Sequence, residues 1–276
     1  MNFFTELFNP SVPFIRNAFI ASLLSSVLFG VLGSIVSVKR IAGLAGAISH
    51  AVLGGIGIAL FLSVNKIIPN FPPILGAIIF AVITAIIIAF VSLKAKQRED
   101  TVINALWAIG MSVGVVFIAK TPEYVDPMSY LFGNILLISN ESLILLAILD
   151  LIVLFLSIRY YRQIEASAFD EEFARTRGIN TDLIFVILLI VTAISVVLLQ
   201  TFVGIVMVIA MLTLPSGTSA YFSKNLSGMM ISSTALSILF SFSGLFLSWQ
   251  LNLPSGAMVV IVSGVVFLLF SLIKLK

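Results

Sequence analysis

The sequence predicts an all-α, polytopic helical membrane protein, and three observations carry that reading. Hydrophobic residues make up 60% of the 276 residues and charged residues only 10%, a balance foreign to a soluble domain with one buried core. Several uninterrupted apolar stretches reach the ~20 residues that a helix needs to cross a bilayer. These stretches lack the every-other-residue alternation of a membrane β-strand. Helices remain as the structure that satisfies each backbone group without water.

Taken in order, the apolar runs between charges and turn residues give about nine segments. The first runs from Phe14 to Val38 and stops at Lys39-Arg40; the second covers Ile41 to Val64. The third starts near Pro72-Pro73 and ends at Leu93, and the fourth spans Thr101 to Ala119. A polar loop, Lys120 to Asp126, precedes a weaker stretch, Pro127 to Ile138, read as re-entering rather than crossing. The fifth segment spans Asn140 to Ile158, and a water-facing region, Arg159 to Asp182, follows it. The sixth covers Leu183 to Leu199, the seventh Phe202 to Phe222, the eighth Met229 to Trp249 and the ninth Gly256 to Ile273. Pro215, with Ser216-Gly217-Thr218, is expected to break the seventh helix. No soluble stretch is long enough for a second domain, so residues 1–276 are read as one.

Alternating nine segments puts Lys39, Arg40, Lys94, Lys96, Arg98, Arg159, Arg162, Arg175, Arg177, Lys224, Lys274 and Lys276 on one side. Only Arg16, Lys66 and Lys120 fall opposite. The positive-inside rule makes the richer side cytoplasmic, with the N-terminus outside and the C-terminus inside. Because the basic residues sit at segment ends, the net charge of +3 points to the lipid bilayer and not to nucleic acid. The chain has no cysteine, which removes disulfides and thiolate metal sites. A cleavable signal peptide is not expected, since residues 1–13 carry Glu6 and no basic run. There is no G-x-x-x-x-G-K-S/T loop, so any ATP must be bound by another chain.

His50 is the single histidine of the chain and lies inside the second apolar segment. An ionisable side chain at such depth marks a functional site by default. The competing reading is an imidazole that merely hydrogen-bonds a backbone carbonyl across a helix interface. Small residues around it (Gly46, Ala47, Ala51, Gly54, Gly55, Gly57) let neighbouring backbones come close. Ser49 reads as an interhelical hydrogen bonder. Asp150 is the other intramembrane charge, either a proton-relay group or an aspartate at a helix interface. Glu123, Asp126 and Glu141 read as solvated acids on the outer face, and Met207 and Met211 as packing. Gly110 and Gly114 form a G-x-x-x-G pair suited to a helix contact.

In the water-facing region, Asp170 is a good helix N-cap, Glu171 and Glu172 fill the first turn, Arg175 and Arg177 the last. Gly178 stands where a left-handed residue belongs. Phe169 and Phe173, four apart, offer apolar anchors on one face. The segment is either a linker helix lying on the chain's own helix ends or a docking element for a cytoplasmic partner.

Motifs in fixed order carry a resemblance. They are Gly30 to Arg40 leading into Ile48-Ser49-His50-Ala51-Val52-Leu53-Gly54-Gly55, Arg98-Glu99-Asp100-Thr101-Val102-Ile103, and Met128 to Leu136. Phe169 to Ile179, Val203 to Met207, Met211 to Pro215 and Leu253-Pro254-Ser255-Gly256 follow. Together they resemble the membrane permease subunits of ABC transporters that import zinc, manganese or iron(II). The resemblance implies a homodimer of permeases, cytoplasmic ATPase subunits and an extracytoplasmic metal-binding receptor. It makes Met128 to Leu136 a re-entrant region near the outer mouth. It makes Phe169, Asp170, Glu171, Glu172, Phe173, Ala174, Arg175 and Gly178 a coupling helix that docks on the ATPase.

Many members of that family carry an aspartate four residues before the histidine, where this chain has Gly46. His50 without that carboxylate makes a weak pathway or gate site for the transported ion, zinc ahead of manganese or iron. No cofactor is expected to be bound by the chain, and no catalysis occurs in it. Two rival readings are a proton-coupled secondary transporter using His50 and Asp150, and a non-transporting membrane assembly subunit.

Overall fold

The computed structural model describes residues 13–94, 99–122 and 138–274. Every element among them is a helix: α1 Pro13–Val38, α2 Ala42–Val64, α3 Pro73–Lys94, α4 Glu99–Ala119, α5 Asn140–Arg159, α6 Tyr161–Phe169, α7 Glu171–Thr176, α8 Thr181–Val203, α9 Ile205–Ser219, α10 Leu226–Leu251 and α11 Ser255–Lys274. Eight of them are long and apolar enough to cross a membrane, and α9 is the shorter ninth. The expected all-α polytopic fold is what forms. Glu123, Asp126 and residues 127–137 of the expected re-entrant stretch lie outside the described residues.

The boundaries differ most around the expected seventh segment. Phe202 and Val203 belong to α8, and Gly204, at φ 85°, turns the chain into α9. A side chain rarely tolerates that backbone angle, which is why glycine marks the joint. Fifteen residues reach about 22 Å, short of the ~30 Å hydrocarbon thickness. Pro215 does not break the helix, contrary to expectation: α9 continues to Ser219. Hydroxyls lace the turns around it, Ser216 Oγ donating to the Leu212 carbonyl at 3.0 Å and Thr218 Oγ1 to Leu214 at 2.8 Å. Met207 and Met211 are buried on this helix, as the packing reading holds.

The helices form two groups. α1 packs against α10, α9 and α5; α2 packs against α4 and α3; α8 joins them through α3 and α2. Alternation of direction is visible in the cross-links. At one end, Asn17 Nδ2 of α1 donates to Asn140 Oδ1 of α5 at 3.0 Å. At the other, the Ser37 and Ser216 hydroxyls meet at 2.6 Å, and the Ser227 backbone N–H of α10 donates to Tyr161 Oη of α6 at 3.1 Å. The second end therefore carries Lys39, Arg40, Arg159, Arg162, α7 and Lys224. Apolar side chains line the outside of the bundle, among them Ile83 and Phe90 of α3, Ile148 and Phe155 of α5, and Ile261 and Leu268 of α11. Such a surface suits acyl chains and not water.

Candidate functional site

The site begins with backbone contact between α2 and α4. A Cβ on Gly110 would stand 2.5 Å from Ala51 Cα, and one on Gly114 at 2.5 Å from the Leu53 carbonyl oxygen. Only glycine permits such an approach, so the G-x-x-x-G pair read from the sequence is a true helix contact. Trp107 lies one turn before Gly110 on α4. Close packing brings its indole onto His50, with ring centroids 4.7 Å apart and planes 25° from parallel.

His50 is half-buried, and its Nδ1 is buried with no hydrogen-bond partner among the described residues. The interhelical carbonyl bond of the competing reading does not form; a stacked ring takes its place. Ser49 bonds within its own helix, its Oγ donating to the Ala45 carbonyl at 2.9 Å. The expected interhelical bond is absent because the backbone oxygen one turn back is nearer and free of competition at that depth.

One stripe of α2 carries Gly43, Gly46 and His50, at i, i+3 and i+7. A Cβ at Gly43 or at Gly46 would meet no atom within 4 Å. The place where an aspartate commonly stands in the resembling family is therefore open space, one turn from the imidazole. No group of three or more His, Asp and Glu side chains converges among the described residues. Asp150 does not join His50: it sits with Leu146 and Val153 on the buried face of α5, which packs on α1 and α8. Neither of its carboxylate oxygens has a hydrogen-bond partner among the described residues.

The foot of that stripe opens into a cavity of about 470 Å³. Lys39, Arg40, Gly43, Ser92, Glu171 and Arg175 line it, so the α1–α2 corner and α7 share one space. α7 is built as its sequence dictates. Asp170 takes extended angles and its Oδ1 accepts the Phe173 N–H at 2.9 Å. Gly178, at φ 78°, closes the helix in a Schellman arrangement, with Ile179 N–H donating to Ala174 O at 3.1 Å and Gly178 N–H to Arg175 O at 3.0 Å. Arg175 donates to Glu171 at 2.8 Å and to Asp182 at 2.6 Å.

One expectation fails here. Phe169 ends α6 and Phe173 belongs to α7, so they do not share one helical face. The reason is Asp170 itself, since a capping residue must leave helical angles. Both rings remain exposed, 64% and 51%, and Arg177 lies over the Phe173 ring at 5.1 Å. α6 was not foreseen, and neither was the electrostatic seat of α7. Arg175, by hydrogen bonding, holds the Glu171 carboxyl below its ordinary range, and Lys39 adds to it against the cost of burial. Burial pushes the Lys39 ammonium down while the Glu171 charge pulls it back up.

The sequence model of the ABC 3 transport family matches residues 11–274. The chain belongs to that family. The resemblance to ABC permeases read from the motifs is thereby borne out. Among its relatives is the "Probable metal transport system membrane protein" of Chlamydia trachomatis, 37% identical over 264 residues, covering 95% of this chain and 89% of that protein. The manganese transport system membrane protein MntC of Listeria monocytogenes is 31% identical over 255 residues, with 92% and 88% covered. The fold matches a solved structure, PsaBC from Streptococcus pneumoniae in complex with Fab, at a TM-score of 0.83 and 24% identity, covering 97% of this chain and 94% of that one. The relatives are membrane components of transport systems, so the reading of this chain as a transport subunit and not an enzyme holds.

Proposed function

We propose that this protein is the permease of an ATP-driven importer for a divalent transition metal ion. The carrying observation is the match of nearly the whole chain to the ABC 3 transport family, joined to the single histidine of the chain, which stands on the same stripe of α2 as the open positions at Gly43 and Gly46. Relatives named for metal transport, and for manganese in the Listeria protein, supply the cargo class. An imidazole with room beside it for water or a further ligand suits zinc, and manganese by the relatives' names, so both ions belong in the test. His50 serves as a weak station or gate on the path, and the absent carboxylate leaves selectivity to a separate receptor.

Movement follows alternating access. Cytoplasmic ATPase subunits dock on the α6–α7 elbow through Phe169, Asp170, Glu171, Glu172, Phe173, Ala174, Arg175 and Gly178. A displacement of α7 reaches α2 through the shared cavity at Lys39 and Gly43. The basic end of the bundle faces the cytoplasm, which puts the N-terminus outside. A second permease copy completes the path, with the open stripe of α2 turned towards it. The basic walls of the cavity repel cations, so ions leave it and do not rest there.

The test is ATP-dependent uptake of zinc and manganese by the reconstituted complex. His50→Ala should lower uptake in an assembled complex that still hydrolyses ATP. Metal uptake unaffected by loss of the ATPase subunit would instead favour a secondary transporter, and no uptake at all in an assembled complex would favour an assembly subunit.

A further inference from the structure

A second, larger cavity of about 820 Å³ lies away from the His50 stripe. α5 and α10 both lean on α1, and between them Val27 and Val31 of α1 form an apolar floor. Ile158 of α5 and Ile231 of α10, 74% and 73% exposed, stand at its rim, so the groove opens sideways from the bundle, where acyl chains lie. Its basic end is different in chemistry. Arg159 and Arg162 line it there, with Tyr161 and Ser227 behind them.

Neither arginine has an ion-pair partner among the described residues. Of the nearby acids, Glu171 and Asp182 hold Arg175, and Glu165, which accepts from Tyr161 Oη at 2.7 Å, forms an ion pair with neither arginine. The Arg159 guanidinium lies over the Tyr160 ring at 5.4 Å, a contact that orients it without neutralising it. The groove thus presents two cations without an ion-pair partner at the end of an apolar slot level with the helix ends. That pattern recognises an anionic head joined to a hydrocarbon chain. A helix of a second copy would fill the slot but would leave both charges desolvated and unpaired, at a large cost.

We propose that this groove binds an anionic phospholipid of the leaflet on the basic side, with its phosphodiester at Arg159 and Arg162 and an acyl chain over Val27 and Val31. The inference rests on the membrane fold alone and is independent of the cargo. The lipid rests against the start of α6, whose far end leads into α7, so its occupancy also steadies the elbow.

The test is native mass spectrometry of the delipidated full-length chain titrated with phosphatidylglycerol. A bound lipid is expected, weakened roughly thirtyfold in Arg159→Gln/Arg162→Gln, from two basic contacts near the membrane surface. The charge-keeping pair Arg159→Lys/Arg162→Lys should recover most of the binding, which separates charge from folding. Phosphatidylcholine should bind the unaltered protein as weakly as phosphatidylglycerol binds the glutamine variant. Equal binding of the two lipids by the unaltered protein would overturn the proposal, and that arm stands even where a variant misfolds. Displacement by excess inorganic phosphate would make it a free-anion site and overturn the lipid assignment. Because the chain lacks cysteine, Ile231→Cys gives a clean reporter: disulfide-linked pairs in native membranes would make the groove a subunit interface and overturn it too.

Discussion

The His50 imidazole lies stacked on the Trp107 indole, 4.7 Å between ring centroids. A ring held by stacking, and not by a hydrogen bond to Nδ1, leaves neither nitrogen committed to a protein partner among the described residues while its orientation stays fixed. Stacking of this kind contributes ~0.5–1.5 kcal/mol. Trp107→Leu should therefore reduce metal uptake about two- to tenfold at low metal concentration, and His50→Ala by roughly tenfold or more. Transport assays on complexes matched for assembly check both. Equal loss in the two variants would mean that the indole acts by shaping the helix contact and not by orienting the ring.

The empty position at Gly46 makes a gain of function testable. A carboxylate there would lie one turn from the imidazole in space that no atom occupies. Gly46→Asp should fold normally and tighten binding of a divalent ion roughly tenfold or more, since a charged oxygen joins the nitrogen ligand. Slower release would accompany it, so uptake at saturating metal should fall. Calorimetric titration decides the affinity, and an unchanged dissociation constant would show that the stripe does not meet the ion.

Helix contact between α2 and α4 predicts stability. Gly110→Ile forces atoms into the Ala51 backbone, which stands 2.5 Å from where the Cβ would be. Overpacking of this order costs ~1–3 kcal/mol. The melting temperature in detergent should drop roughly 2–4 °C for each of those kcal/mol. Gly46→Ala, placed in open space, is the control and should melt no lower than the unaltered protein, since alanine favours a helix interior over glycine.

Much of this was legible in the sequence because its signals are local. Long apolar runs fixed seven of the spanning helices within a few residues, and α7 was written out by Asp170 at one end and Gly178 at the other. Pro215 misled: α9 runs on through it to Ser219 although proline has no N–H to give the Met211 carbonyl, and nothing local in the sequence marks that tolerance. The Phe169–Phe173 pairing failed for a kindred reason, as the same Asp170 that starts α7 must end α6. What the sequence did not show is what depends on distant residues meeting: Trp107 over His50, and Lys39 beside Glu171. The lone histidine was found by its depth and isolation, whereas the indole that holds it carried no sign beyond its place one turn before a glycine pair.

The cap of α7 gives a prediction for coupling. Asp170→Ala removes the acceptor of the Phe173 N–H at 2.9 Å, a loss of ~0.5–2 kcal/mol to a helix of six residues. So short a helix has little stability of its own to spare. ATPase binding should weaken and metal-stimulated hydrolysis should fall, with Asp170→Asn restoring most of both. Pull-down of the ATPase by the two variants checks it. Undiminished binding by the alanine variant would remove α7 from the docking surface.

Glu171 makes the seat of α7 sensitive to acid. Its carboxyl is held below the ordinary value of 4.5 by Arg175 first and Lys39 after it. A group whose folded value is depressed stabilises the fold above its unfolded value and loses that contribution as pH falls through the folded one. The attachment of α7 to the α1–α2 corner should therefore be intact at neutral pH and loosen progressively below the ordinary glutamate range. Hydrogen exchange of the α7 amides, followed downward in pH and corrected for intrinsic rates, should show protection falling there. In Glu171→Gln the protection should start lower and change little with acid, because the neutral amide keeps a hydrogen-bond acceptor for Arg175 but no charge for Lys39. A parallel decline in both proteins would show that Glu171 is not the source of the acid sensitivity.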